Sequence, residues 1–138
     1  MPLLPHEVFE KLSTTKTKKD KVKVHRENDT WALKDVIRGS MDKTVVWLLP
    51  EGTPPYKACK EGNEPSSLLR ENKKFAYLVK NGRGKDLPAY KRENIFIGML
   101  EAVHPKDAEL LVNMIQKKVP KGLTRPVVQE AFPDLLKD

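Results

Sequence analysis

Ile95-Phe-Ile-Gly-Met-Leu-Glu-Ala-Val-His-Pro-Lys-Asp-Ala-Glu-Leu-Leu-Val-Asn-Met-Ile115 is the stretch whose reading decides the fold. Ile95, Phe96, Met99, Leu100 and Val103 recur at intervals of three and four, so they share one face of a helix. His104-Pro105 breaks that pattern, because a residue before proline is pushed out of helical backbone. Leu110, Leu111, Met114 and Ile115 then mark a second helix. Asp107 and Glu109 fall in its first turn, where negative charge meets the positive end of the helix dipole.

Both faces need covering, and the flanking sequence supplies more helices. Toward the C-terminus, Thr124 is a good N-cap, Pro126 suits a first turn, and Val127, Val128, Ala131 and Phe132 face inward before Pro133 stops the element. Toward the N-terminus, Asn81 to Pro88 reads as a flexible basic turn. A long helix is expected from Ser66 or Ser67, with Leu68, Leu69, Phe75, Ala76 and Val79 inward. Residues 51–65 hold mostly turn-forming types and read as a long loop. Val45 to Leu49 is a continuous apolar run stopped by Pro50, which periodicity alone leaves open between a short buried helix and a strand.

From Thr30 to about Ser40, Trp31, Ala32, Leu33, Val36 and Ile37 form a wide apolar stripe that Gly39 closes. Between Thr17 and Asn28, helix and strand compete, since Val22 and Val24 alternate with Lys21 and Lys23. Thr17 as a cap and Asn28-Asp29 as a stop favour helix. Val8, Phe9 and Leu12 make one face of a first helix after Pro5. The expected architecture is all-α: one domain over residues 1–138, of about seven to eight short, irregularly packed helices. Residues 1–16 form its N-terminal helix and lead-in.

Composition narrows the function. The 38% hydrophobic and 33% charged residues suit a folded domain rather than a disordered chain. Twenty-six Lys and Arg against 19 Asp and Glu leave a net charge of +7, which favours a polyanion or an acidic surface as partner. The single Cys59 excludes an intramolecular disulfide and fits a reducing compartment. No apolar run is long enough to span a membrane, and Met1-Pro2-Leu3-Leu4-Pro5 does not read as a signal peptide. An intracellular, cytoplasmic protein with no membrane partner is the expectation.

Catalytic signatures are missing. There is no Gly-rich nucleotide loop, no His-Glu-x-x-His and no paired cysteine, and His6, His25 and His104 are scattered through the chain. No metal, cofactor or catalytic residue is expected. Cys59, between Lys57 and Lys60, is read as inert, and Ser66-Ser67 as a helix cap rather than a nucleophile.

Positive charge gathers in three places. Lys16, Lys18, Lys19, Lys21, Lys23 and Arg26 oppose only Asp20. Arg70, Lys73, Lys74, Lys80, Arg83, Lys85, Lys91 and Arg92 surround the turn at Gly82 and Gly84. Lys117, Lys118, Lys121 and Arg125 surround Gly122, just ahead of the Thr124 cap. There, backbone N–H groups, a helix dipole and nearby cations are expected to form a phosphate seat.

The C-terminal stretch from Leu111 to Leu136 resembles the end of the N-terminal, all-helical DNA-binding domain of ATP-dependent DNA ligases, those of phages in particular. Lys117 stands at that family's basic position, Val119 at its Leu and Gly122 at its Gly. Phe132, Pro133 and Leu135 stand at its closing aromatic, Pro and Leu. The Lys-rich segment from Thr17 and the Leu33-Lys34-Asp35-Val36-Ile37 helix are similar more loosely. Lys118 departs from the pattern, since the family has an acid there. No Lys-x-Asp-Gly is present, so the adenylation chemistry is not implied. Trp47-Leu-Leu-Pro-Glu-Gly and Ala131-Phe-Pro-Asp-Leu are also similar to small proteins of tailed-phage genomes, which implies the cytoplasm of an infected bacterium.

The resemblance implies a stand-alone, non-catalytic domain that grips double-stranded DNA across the minor groove without strong sequence preference, in replication, repair or a related transaction. The implied contacts are Lys117, Lys118, Lys121, Gly122, Thr124 and Arg125 on one side. A second surface would come from Arg38 and Lys43 around the loop at Ser40 to Thr44, with Arg83 and Lys85 adding charge. The alternative is a protein-interaction module binding a phage or host replication or transcription protein. The proline-flanked Tyr56 would offer it a surface.

Overall fold

The computed structural model describes residues 3–80, 82–84 and 86–137. Among these, seven α-helices and one 3-10 helix form an all-α domain: α1 Pro5–Thr14, α2 Lys18–Glu27, α3 Trp31–Met41, α4 Leu68–Glu71, the 3-10 helix Asn72–Tyr77, α5 Ala89–Ala102, α6 Pro105–Ile115 and α7 Arg125–Ala131. The stretch from Ile95 to Ile115 folds as its spacing requires. Phe96, Met99, Leu100, Leu111 and Met114 are almost completely buried, and α6 packs against α1, α3 and α5. His104 makes the break between α5 and α6: Pro105 follows it, and its Nδ1 accepts the Lys106 N–H at 3.1 Å.

The core continues through Val8, Phe9 and Leu12 of α1 and Ala32, Leu33, Val36 and Ile37 of α3. A smaller apolar seam joins α2 to α7 through Val22, Val127 and Ala131. The competition over Thr17 to Asn28 resolves as helix, with the Thr17 hydroxyl accepting the Asp20 N–H at 3.2 Å.

Four expectations need correction. The long helix after Ser67 is one α-turn followed by a 3-10 helix. In this element Leu68, Phe75 and Leu78 are buried, while Leu69 points outward at 49% exposure. Helical spacing assigned Leu69 to the core, but the tighter 3-10 turn changes which residues share a face. Trp31 is likewise outside, at 62% exposure. Gly39 does not close α3, which runs on to Met41; a Cβ there would meet Trp47 and Met114, so glycine permits close packing. Val45 to Leu49 is neither helix nor regular strand, making only an isolated bridge between Trp47 and Val79.

The 51–65 segment lies along the end of α5. The Lys57 N–H donates to Glu101 at 2.7 Å, and Ser66 N–H donates to the Ala102 carbonyl at 2.9 Å. Tyr56 packs against the core, so its ring is not the open partner surface expected of a proline-flanked aromatic.

Candidate DNA-contact surface and an adjacent open groove

The loops expected to hold phosphates lie against each other. After α6 the chain turns through Lys117, whose φ of +60° places a non-glycine residue in left-handed backbone. Lys117 N–H bonds to the Met114 carbonyl and Lys118 N–H to Asn113, both at 3.0 Å, closing the helix in a Schellman motif. Lys117 Nζ then donates to the carbonyls of Gly39 at 2.8 Å and Asp42 at 2.9 Å. Arg125 donates to Met41 O at 3.1 Å, and the Trp47 indole N–H to Gly39 O at 2.9 Å. Carbonyls at the end of α3, orphaned by helix geometry, are thus met by two cations and an indole.

Asp42 completes this clasp. It is fully buried. Its carboxylate accepts Thr44 N–H at 2.8 Å, Thr44 O–H at 2.6 Å and Lys137 N–H at 2.7 Å. Residues far apart in sequence therefore spend their polar groups on one another.

Gly122 has φ +88°, as a tight basic turn requires. A Cβ on it would collide with the backbone of Leu12 and Ser13, so the turn is packed onto the end of α1 rather than open. Thr124 holds the N-cap position of α7 in extended backbone, but its hydroxyl makes no capping hydrogen bond. Pro126 removes one further N–H from that end. The phosphate seat is accordingly not an exposed cradle. Of its cations, Lys118 and Lys121 are exposed, whereas Lys117 and Arg125 are engaged with α3.

The other expected contacts are dispersed. Arg38 lies on α3 at 4.0 Å from Asp35, Lys43 is exposed beside the clasp, and Arg83 is exposed in the turn beneath the 3-10 helix. Lys85 falls outside the described residues. Arg92 supports the same turn from inside, its guanidinium donating to the carbonyls of Leu48, Gly84 and Leu87.

Packing of Gly122 on Ser13 has a second consequence. It brings Lys121 to the α1–α2 junction, where Lys16 and Lys19 are exposed. Lys121 and Ser13 border one shallow hollow. Two basic segments about a hundred residues apart in the chain are therefore brought together at the end of α1. Some α2 charge is spent locally: Lys18 pairs with Glu130 at 3.6 Å and Lys23 with Glu27 at 3.8 Å.

Between α3 and the 3-10 helix lies a groove that no local pattern in the chain announces. It encloses about 820 Å³, with Trp47 and Phe75 stacked edge to face in its floor, centroids 5.5 Å apart. Trp31 and Lys34 stand on one wall, with the ammonium 4.4 Å from the indole centroid and 2.6 Å from Asp29. Leu69, Asn72 and Lys73 form the other. Asn72 donates to Asp35 at 2.8 Å across the base. Burial pushes the Asp35 carboxyl above its ordinary range, opposed by that hydrogen bond and by Arg38 and Lys34.

The scattered histidines also come together. His6 and His104 stack at 4.4 Å, His6 Nδ1 lies 2.8 Å from Asp107, and His104 Nε2 lies 3.3 Å from Glu61. No group of three or more metal-ligating side chains forms among the described residues. Cys59 Sγ donates to the Val103 carbonyl at 2.8 Å, and burial pushes its thiol up rather than down.

Residues 8–121 match one protein-family model, the family of unknown function DUF6433. The chain belongs to the DUF6433 family. Among curated proteins, none matches its sequence. The DUF6433 match runs from within α1 through α6 and the Lys117 turn, and so includes both the groove and much of the clasp. The stretch from Leu111 to Leu136 overlaps the DUF6433 region only in its first part. Among the described residues, no helix of this DUF6433 protein is long and apolar enough to cross a membrane.

Proposed function

We propose that this protein binds the backbone of double-stranded DNA without catalysing a reaction, in the cytoplasm of a phage-infected bacterium. The observation that carries the reading is the packing of the Gly122 turn, with Lys118 and Lys121 leading into it, on the end of α1, which Lys16 and Lys19 follow in the chain. All four are exposed, and none makes an ion pair among the described residues. Such a surface attracts phosphates by charge alone, so binding is salt-sensitive and weakly sequence-dependent. The resemblance to ligase DNA-binding domains supports the same ligand.

The absence of chemistry is part of the proposal. The described hydrogen bonds give neither His6 nor His104 a hydroxyl or thiol partner, and Cys59 is held as a thiol.

The test is a gel shift with intact, nicked and single-stranded DNA at two salt concentrations. Wild type should bind duplex and weaken steeply with salt. Lys118→Glu with Lys121→Glu should lower affinity roughly ten- to a hundred-fold, at about 1 to 1.5 kcal/mol per charge-assisted contact. The salt slope should fall by about one unit per lost contact. Binding that is insensitive to salt, or unchanged by both reversals, would rule the reading out.

A further inference from the structure

Three of the six large hydrophobic side chains left exposed among the described residues surround a single feature. Trp31, Val46 (44% exposed) and Leu69 all border the groove between α3 and the 3-10 helix. Scattered exposed apolar residues need no explanation, but a contiguous group around a concave surface marks an interaction site. The volume lies within the usual range for ligand sites. Its wall along α3 runs from Trp31 to Gly39, about 13 Å at 1.5 Å per residue, which matches two to three turns of a second helix.

Charge selects the occupant. Lys34, Arg38, Lys73 and Lys80 line the groove against Asp29 and Asp35. The excess is positive, yet it is interrupted by carboxylates that would repel a continuous run of phosphates. Arg38 is loosely held: its contact with Asp35 is 4.0 Å, and its Nε is buried with no acceptor. Among the described residues, Trp31 is the only exposed ring at the rim, with the aliphatic Val46 and Leu69 as the other exposed apolar side chains there. A nucleic-acid strand wants several aromatic platforms and unbroken positive charge. An amphipathic helix wants apolar contacts for anchors at i, i+3 or i+4 and i+7, with cations at the edges for its acids.

The geometry points to this groove as the docking site for an acidic amphipathic helix of a partner protein, its apolar face on Trp31, Val46 and Leu69 and its carboxylates toward Lys34, Arg38, Lys73 and Lys80. This surface is separate from the lysines assigned to DNA. The two proposals therefore stand or fall independently.

The experiment is selection of a displayed library of random 20-residue peptides on the full chain, after depletion on the Val46→Lys, Leu69→Lys variant. Both positions are exposed, and an unchanged circular dichroism spectrum and melting temperature establish that the variant is folded. Enriched peptides should carry Asp or Glu between Leu, Ile, Phe or Met at helical spacing. Binding them should shift Trp31 emission to the blue, and Trp31→Phe should remove that shift. Affinity should fall about tenfold or more in the double Lys variant. It should also fall in Lys73→Glu with Lys80→Glu, and there the loss should shrink at high salt.

Other outcomes overturn the proposal. They are no enrichment over the depleted variant, enrichment without acids, quenching of Trp31 by oligothymidylate that competes with the peptides, or sedimentation as a dimer that Leu69→Lys dissociates. The last two would assign the groove to single-stranded nucleic acid or to a second copy of this chain.

Discussion

The two ends of α3 treat positive charge in opposite ways. At its C-terminus, Lys117 and Arg125 reach across from the far part of the chain and donate to carbonyls of Gly39, Met41 and Asp42. In its first turn, Lys34 lines a groove, 2.6 Å from Asp29 and over the exposed Trp31 indole. Cations of the same kind tie distant backbone together in one place and border an open groove in the other. The difference is the neighbourhood: a helix C-terminus presents unmatched acceptors, while the side of a helix presents none. Basic sequence alone therefore does not identify a binding surface.

The comparison is easiest to break at the clasp. Gly122→Val should be the most damaging change, costing on the order of 3 to 4 kcal/mol. It combines a β-branched residue at positive φ with a collision against Leu12 and Ser13. A urea melt with an unaltered midpoint would show that the turn does not need this packing.

Asp42→Ala should follow, at roughly 3 kcal/mol, because three donors, two of Thr44 and one of Lys137, lose the buried carboxylate that accepts them. For a domain of this size that corresponds to a fall of about 10 °C in Tm. A shift below about 2 °C would mean that the clasp is ornamental.

His25 sharpens the comparison by pH. It is fully buried, its Nδ1 donates to the Lys21 carbonyl at 2.8 Å, and its Nε2 has no partner. Burial lowers its pKa below the ordinary 6.5, against the opposing effect of the Lys21 hydrogen bond. The unfolded chain then binds a proton that the folded one resists. Stability should be full above pH 6.5 and decline as pH falls below it toward the depressed folded value. A His25→Gln variant should show a shallower acid limb; an identical slope in both proteins would exclude His25 as the cause.

The smallest effects belong to the open surfaces. Lys118→Glu with Lys121→Glu, and Leu69→Lys at the groove, should each change stability by about half a kcal/mol or less. Arg125→Glu should cost more, about 1 to 3 kcal/mol, because Met41 O loses a charged donor and gains a carboxylate. Equal melting temperatures for Arg125→Glu and Lys121→Glu would erase the distinction between clasp and surface.

Local pattern fixed much of this protein. The helical class, the α5–α6 pair and its break at His104-Pro105, and the Thr17 cap all follow from spacing and backbone chemistry within a few residues. Helical spacing does not separate one continuous helix after Ser67 from a single α-turn followed by a 3-10 helix, so it places Leu69 in the core while the structure exposes it. What only the tertiary structure decided is the use of the charges. Lys117, Arg125, Lys118 and Lys121 look alike in sequence, and only the arrival of the α3 C-terminus separates the first two from the others. The groove and the His6–His104 stack arise in the same way, from segments distant in the chain. Side-chain periodicity reports which face is buried, but not which other segment buries it, and hydrogen-bond partners are set by that second fact.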